Sequence, residues 1–343
     1  MEKSRAVNRI DWIDIAKFFG AMLVVMGHTL TEDRLGRAAR GAIYSFHMPL
    51  FFIVGGMTFK FSKDIEDYKV RMKRSAKHLL IPVAFIIIAR IFVYNIHDLS
   101  VMGSINFWKS NLYTVIFARG IEMDYGGIHA YAIGMPWFFF AYFIAREIFD
   151  YLHLKFGAEQ FPIVCVFTGI LGMCCRTLRM AFSIDSAMVA VLFLLIGHML
   201  MDRDLNKKLL PKLVVFGVLW YALLRICFPN LWLVTYFEFA TKDYSIVPVS
   251  ILTAVLGSLI VFYVSIILEK VKPVRRPLSF FGKNALTFFL VHCVDILWKE
   301  LWECFDNQFV RGGIRFLLDT AVFATLMMVI YLIKKAGISG QKN

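Results

Sequence analysis

The chain has 343 residues, of which 59% are hydrophobic and 18% charged, and its formal net charge is +13. Soluble domains are about 45–50% apolar and about 25% charged, so this composition excludes an ordinary soluble fold and indicates an integral membrane protein. Basic residues crowd the cytoplasmic loops of membrane proteins, so the positive charge does not predict a nucleic-acid partner. The six cysteines form no CxxC pair, and they predict neither a metal site nor disulfides.

Apolar runs recur along the whole chain, and a membrane-spanning helix needs about 20 such residues. In chain order the predicted spans are Ile10–Leu30, Gly41–Phe59, Leu79–Asn95, Met135–Leu154, Phe161–Cys175, Ser183–Met201, Leu213–Phe228, Ile246–Leu268, Phe280–Leu301 and Ile314–Ile333. Phe107–Ala118 is apolar on one side only and predicts an interfacial helix. The basic N-terminal segment has no cleavage site after it and is interpreted as leading into a retained first helix. We therefore expect an all-α, polytopic integral membrane protein of about ten transmembrane helices, forming one domain over residues 1–343.

The distribution of basic residues predicts the orientation of these spans. Ten spans place both termini on one side, and the segments on that side hold 23 Lys and Arg, against 10 in the opposite loops. This asymmetry predicts that the N- and C-termini are cytoplasmic. Arg34, Arg37 and Arg40 lie on the outer side, against the trend.

The first predicted span carries ionisable residues where a simple anchor would have none. Lys17 and His28 are eleven residues apart, three helical turns plus about 20°, and Asp14 lies about 40° short of four turns from His28. The three therefore share one stripe. Either the stripe packs against other helices, with Asp14 and Lys17 as an i,i+3 pair, or it lines a polar cavity with His28 deep inside. Histidine exchanges protons near neutrality, so His28 is a candidate general base, and Glu32 would orient it if the helix extends that far.

Two further histidines lie in predicted spans. His47 belongs to a polar cavity, or it is a buried histidine bonded to a backbone carbonyl. His292 is mid-span, with Asp295 three residues further on, and Gly55-Gly56 favours close helix contact over phosphate binding. Other charges inside or at the edges of spans, which fit an enzyme cavity or a transport path, are Arg90, Asp185, Arg225, Arg315 and Asp319.

The segment from Lys69 to His78 is strongly basic and comes just before Pro82. Its charges can hold the phosphates of a nucleotide-like donor. Alternatively, the segment is a juxtamembrane cluster that follows the positive-inside rule and binds anionic lipid. On these grounds alone the second interpretation is favoured.

Five motifs, in order, resemble the integral-membrane acyltransferase family three, and within it the fucose-4-O-acetylase-like branch. They are Ile10-Asp11-Trp12-Ile13-Asp14-Ile15-Ala16-Lys17 running on to Gly27-His28-Thr29, Ser45-Phe46-His47-Met48-Pro49-Leu50-Phe51-Phe52, Lys77-His78-Leu79-Leu80-Ile81-Pro82, Pro136-Trp137-Phe138-Phe139, and Phe281-Gly282-Lys283-Asn284-Ala285-Leu286 running on to His292. The chain departs from the family pattern at three positions. Lys17 stands where Arg is frequent, Gly55 replaces the Ser of a Ser-Gly pair, and Ala285 replaces a Ser.

The resemblance implies that an acyl group, expected to be acetyl, is transferred from cytoplasmic acyl-CoA to a hydroxyl of a cell-surface glycan or its lipid-linked precursor. It implies that His28 is essential, that acetyl-CoA or another acyl-CoA is a co-substrate rather than a bound cofactor, and that the protein lies in the cell membrane among lipids. The candidate residues are His28, Asp14, Lys17 and Glu32 for catalysis, His47, Trp137 and His292 for the acceptor, and Arg71, Arg74 and Lys77 for acyl-CoA, with no metal. The alternative is a transporter or flippase of a polar or lipid-linked substrate, which the absence of an internal repeat disfavours.

Overall fold

A computed structural model describes residues 10–95, 99–175, 178, 180–201, 203, 205, 209–227, 237–244 and 246–340. The basic N-terminal segment and the expected end of the seventh span at Phe228 lie outside these residues. The helices are α1 Asp11–Gly27, α2 Arg34–Tyr44, α3 His47–Met57, α4 Ile65–Asn95, α5 Leu99–Met102, α6 Ile105–Phe117, α7 Pro136–Cys174, α8 Ile184–Met201, α9 Leu209–Cys227, α10 Val247–Glu269, α11 Lys272–Lys283, α12 Ala285–His292, α13 Glu300–Glu303 and α14 Gln308–Gly340.

The predicted helical fold is confirmed, with two small antiparallel hairpins in addition. Strand β1, Met123–Tyr125, pairs with β2, Ile128–Ala130, and β3, Phe237–Glu238, pairs with β4, Asp243–Tyr244. The first hairpin turns at Gly126-Gly127, both at positive φ, as a tight two-residue turn requires. Short 3₁₀ helices cover Ala181–Ser183 and Asp295–Trp298.

Six helices in the described part of the chain are long and apolar enough to cross a membrane. They are Ile65–Val93, Pro136–Cys174, Ala181–Met201, Leu209–Ile226, Val247–Glu269 and Gln308–Ala336. Their apolar side chains are often exposed, as on α4 and α9, where lipid rather than protein covers such surfaces. The protein is therefore a membrane protein built from helices.

Helix α7 is two helices joined by a sharp turn. Gly157 has φ 66° and ψ 177°, a conformation that only glycine adopts readily. The rings of Phe149 and Phe161 are 4.9 Å apart, although twelve residues of continuous helix would separate them by about 18 Å. The chain thus reverses at Gly157, and the two halves correspond to the separate spans predicted at Met135–Leu154 and Phe161–Cys175.

Two predicted spans are interrupted helices instead. The expected Gly41–Phe59 is divided into α2 and α3, because the Pro49 ring would clash with the Ser45 carbonyl in a continuous helix. The expected Phe280–Leu301 is divided at Asn284, whose side chain bonds to the Phe280 carbonyl and competes with the helical backbone.

The centre of the fold is formed by α1, which packs against α3, α10, α11, α12 and α14. Helices α3 and α8 approach closely through glycines on both sides. A Cβ atom on Gly56 would lie 1.9 Å from the Leu194 carbonyl oxygen, and one on Gly197 would lie 1.9 Å from that of Ile53. The close helix contact predicted for Gly55-Gly56 is therefore confirmed at Gly56.

Helix α4 is longer than the predicted span Leu79–Asn95. It begins at Ile65 and runs through Pro82 to Asn95, so the basic segment is helical and continuous with the apolar part. Helix α6 begins at Ile105 and ends at Phe117, with Ala118 in the left-handed conformation as its cap, close to the bounds of the predicted interfacial helix.

Candidate active site and basic pocket

His28 lies at the end of α1 and is the cap residue where the helix stops. The side chain is exposed, whereas His47 and His292 are buried. Its Nε2 lies 3.2 Å from the sulfur of Met135, and its Nδ1 lies 3.4 Å from the hydroxyl of Tyr44. In the tautomer whose Nδ1–H donates to the Tyr44 hydroxyl, Nε2 carries the lone pair, and an incoming hydroxyl can displace the weakly interacting Met135 from it.

The three histidines predicted separately from the sequence form one cluster. The His28 and His292 ring centroids are 5.9 Å apart, and Tyr44 stacks on His47 at 4.6 Å. His47 donates from Nδ1 to the carbonyl of Ile43, which is the backbone-bonded alternative expected for this histidine. Tyr44 stacks on His47 and contacts His28, and no sequence pattern predicted this link.

His292 is held by two buried carboxylates. Its Nδ1 lies 2.9 Å from Oδ2 of Asp319 and 2.9 Å from Oδ2 of Asp295. A carboxylate accepts hydrogen bonds and does not donate them, so Nδ1 of His292 carries a proton that both carboxylates can accept. Trp298 donates from Nε1 to the other oxygen of Asp319 at 3.0 Å, which fixes the carboxylate in turn.

Arg315 connects these carboxylates to the end of α1. It donates from Nε to Asp295 at 2.6 Å and from Nη1 to the hydroxyl of Thr29 at 3.2 Å, and its guanidinium lies over the ring of Trp302. His292, Asp295 and Asp319 are of the types that bind metal ions and lie within 4.8 Å of one another. Here Arg315 donates to Asp295, and Oδ2 of each carboxylate already lies within hydrogen-bond distance of an N–H group.

The remaining predicted catalytic residues lie elsewhere. Lys17 and Asp14 form the predicted i,i+3 pair at 3.1 Å, but they are about 16 and 21 Å along α1 from His28. The expectation that Glu32 orients His28 is wrong in this structure, because the helix ends at Gly27 and Glu32 pairs with Arg40. Carboxylates do orient a histidine here, but the histidine is His292.

Trp137, predicted to contact the acceptor, is buried near the start of α7. Its ring packs against the backbone of Gly120, where a Cβ atom would lie 3.0 Å from Cδ1. Met135, two residues earlier, is the part of this segment that touches His28.

The basic segment of α4 lines a pocket of about 450 Å³. Arg71 and Arg74 face into it together with Arg146 and His78. Lys77 lines the adjoining pocket of about 570 Å³, which Arg74 and His78 share. Arg71 also donates to the Phe61 carbonyl at 2.9 Å, so it fastens the loop before α4 as well.

Arg146 was not found from the sequence. Its guanidinium lies over the rings of Phe59 and Tyr142, at 5.3 and 5.6 Å, and its Nε is buried without a hydrogen-bond partner among the described residues. The sequence feature that could have indicated Arg146 is its position as a basic residue inside the apolar span Met135–Leu154. Arg71, Arg74 and Arg146 bring three guanidinium groups to one pocket. Glu147 and Asp150 also line it, so its arginines outnumber its carboxylates, which favours an anionic ligand such as a phosphate.

Comparison with known proteins assigns this arrangement to a family. A family model described as an acyltransferase domain, that of acyltransferase family 3, matches residues 10–334. The chain belongs to this family. No curated protein and no solved structure matches the chain significantly.

As a member of acyltransferase family 3, the chain must bring an acyl donor and an acceptor together at a group that manages a proton. The histidine cluster offers an exposed imidazole, His28, beside a second imidazole whose tautomer is fixed by carboxylates. Both histidines lie at helix C-termini, where the backbone carbonyls favour a transient positive charge. The cluster is therefore suited to taking a proton from a hydroxyl and returning it to a leaving group.

Proposed function

We propose that this acyltransferase moves an acyl group, acetyl in the first instance, from acyl-CoA to a hydroxyl of a cell-surface glycan or its lipid-linked precursor. The observation that carries the proposal is the exposed imidazole of His28 next to the carboxylate-held His292, in a chain of this family. We also propose that the chain belongs to the fucose-4-O-acetylase-like branch.

In this reaction His28 is the general base. A sugar hydroxyl is a poor nucleophile until its proton is removed, and Nε2 of His28 accepts that proton as the oxygen attacks the thioester carbonyl. The carbon–sulfur bond then breaks, and the CoA thiolate takes a proton from the imidazolium. The products are the O-acyl sugar and free CoA, and no further reactant is needed.

The acyl-CoA phosphates bind in the pocket formed by Arg71, Arg74 and Arg146. Guanidinium groups form paired hydrogen bonds with phosphate oxygens. Lys77 extends the positive surface on the adjoining pocket. In this scheme Arg74 binds the phosphates of the donor, and His292 lies beside the base His28.

We propose that the protein crosses the cell membrane about ten times, with both termini cytoplasmic. This scheme counts four crossings in addition to the six long apolar helices. They are α1, the α2–α3 pair, the second half of α7 and the α11–α12 pair, and each corresponds to a span predicted from the sequence. The surplus of Lys and Arg in the segments that this scheme places inside supports the orientation. The transporter alternative has no support from the family.

The test is acyl transfer by variants of His28 in membranes that contain equal amounts of protein. His28→Ala and His28→Gln should each lose about 10²-fold or more, because a general base contributes about 10²–10⁴ and glutamine cannot carry a proton. His153→Gln is the matched control, since His153 stacks on Phe61 within the fold. If His28→Gln keeps more than about a tenth of the wild-type rate, well above that loss, His28 is not the base.

A further inference from the structure

We propose that a separate cavity, between α4, α6 and the segment 119–134, binds the acceptor sugar; this inference rests on the acyl transfer proposed above. The cavity has a volume of about 410 Å³, within the range of small-ligand sites. It is lined by Arg90 and Asn95 from α4, Asn111 from α6, and Tyr131 and Ile133 from the connecting segment. None of these residues was assigned to the acceptor on the basis of the sequence.

A short stretch of chain connects the wall of the cavity to the residue that contacts His28. Ile133 lines the cavity, and Met135, two residues later, touches Nε2 of His28 at 3.2 Å. Two residues of extended chain span about 7 Å at most, so the backbone that walls the cavity leads directly to the residue that contacts the proposed base. Arg90 donates to the Ile133 carbonyl at 2.8 Å and packs over Gly134, which fixes this connection.

The walls present hydrogen-bond acceptors to hydroxyl groups. The amide nitrogen of Asn111 donates to the Phe107 carbonyl at 2.9 Å, and that of Asn95 donates to the Ile91 carbonyl at 2.7 Å. These bonds orient both amides, and each Oδ1 has no partner among the described residues. An amide oxygen that is fixed in place and lines a cavity is a ready acceptor for a sugar hydroxyl.

An aromatic side chain and an apolar wall complete the site. Tyr131 is exposed at the cavity and is held through its backbone, since its N–H donates to the hydroxyl of Thr114 at 2.8 Å. Ile87, Ile91 and Phe107 form the opposite, apolar part of the wall. A tyrosine face beside fixed amides suits a sugar ring, which has apolar C–H faces and polar edges.

The donor does not compete for this cavity, because the basic pocket is at the other end of α4. Arg74 and Arg90 are sixteen residues apart on one helix, about 24 Å. The cavity is lined by one arginine, whereas the basic pocket has three. The cavity is therefore suited to a hydroxyl-rich ligand, and the basic pocket to a phosphate-rich one.

The experiment separates acceptor binding from donor chemistry. Glycan extracted from cells that lack the gene serves as acceptor for membranes carrying each variant, and the KM for glycan and the KM for acetyl-CoA are measured separately. Asn111→Leu removes the acceptor oxygen at similar size and should raise the glycan KM about tenfold, the loss expected for one hydrogen bond at the upper end of its range. Tyr131→Ala should raise it by a similar factor.

The controls bear on folding and on chemistry. Leu112→Ala, at an exposed neighbour that does not line the cavity, should leave the glycan KM unchanged. The acetyl-CoA KM of all these variants should stay within about twofold of wild type.

Three outcomes distinguish the two proposals. If Asn111→Leu and Tyr131→Ala leave the glycan KM unchanged while His28→Gln abolishes transfer, the cavity does not bind the acceptor and the proposed function stands. If the acetyl-CoA KM rises instead, the cavity belongs to the donor and the inference is overturned. If wild-type membranes transfer no acetyl to the glycan, the proposed function fails, and the acceptor cavity fails with it.

Discussion

Asp319→Asn keeps the shape of a buried side chain while it removes the charge that faces His292. In the structure Asp319 is fully buried and accepts from Nδ1 of His292 and from Nε1 of Trp298, one donor on each oxygen. An asparagine has one acceptor oxygen and an NH₂ group. One of the two N–H donors would therefore face another donor.

The cost of this change can be bounded from the contacts. A hydrogen bond to a charged group contributes about 1.5–3 kcal/mol, and a buried donor without a partner costs about 1–3 kcal/mol. Asp295 still accepts from His292, so the imidazole keeps one carboxylate and the total stays near the lower end, about 3 kcal/mol. If the orientation of His292 is used in the transition state, kcat falls about 10²-fold, because each 1.36 kcal/mol is a factor of ten.

The assay is acyl transfer at saturating donor and acceptor, with membrane abundance matched to wild type. Thr325→Ala is the control on the same helix, since Thr325 is exposed and its hydroxyl bonds only to the Ala321 carbonyl. The acetyl-CoA KM of Asp319→Asn should be unchanged, because the basic pocket does not include Asp319. A variant that retains more than about half of the wild-type kcat would refute the reasoning and leave the carboxylates a structural role.

Two further predictions concern the donor and the orientation. Arg74→Gln together with Lys77→Gln should raise the acetyl-CoA KM about tenfold or more, because charge-assisted contacts to phosphate are lost, and should change the glycan KM little. An unchanged acetyl-CoA KM would mean that these basic residues only set the membrane topology. Reporter domains fused after Lys63 and after Lys335 should both report the cytoplasm, and either one on the outside would contradict the ten-crossing arrangement.

The membrane class and most helix positions were predictable because they depend on composition and on the length of apolar runs. The interruptions were harder to predict. The break before α3 has a local cause in Pro49, which is visible in the sequence. The turns after His292 have a tertiary cause, since Asp295 and Trp298 turn towards Arg315 and Asp319 on α14, and no local pattern encodes that contact.

The candidate site was predictable in its members but not in its connections. His28, His47 and His292 each attracted attention because histidines in apolar segments are uncommon and functional. Asp319 and Arg315 are predicted from the sequence as charges inside or near an apolar helix. Their pairing with a segment 20 or more residues earlier follows only from the packing of α12 against α14. Tyr44 gave no signal, because a tyrosine at the end of a helix is ordinary. Glu32 was expected to orient His28 because the two are four residues apart, but this spacing holds only within a helix, and α1 ends at Gly27.

The arrangement along α4 gives the proposed reaction a direction. One end of this helix faces the arginine pocket and the other faces the proposed acceptor cavity, about 24 Å away. The proposed base lies towards the cavity end of this helix, because Met135 contacts His28 and Ile133 lines the cavity. In the proposed reaction the acceptor hydroxyl would approach His28 from the cavity side, and the flexible arm of acyl-CoA would carry the acyl group from the arginine pocket. Such a division would let the phosphates stay at one face of the membrane while the acylated sugar leaves at the other.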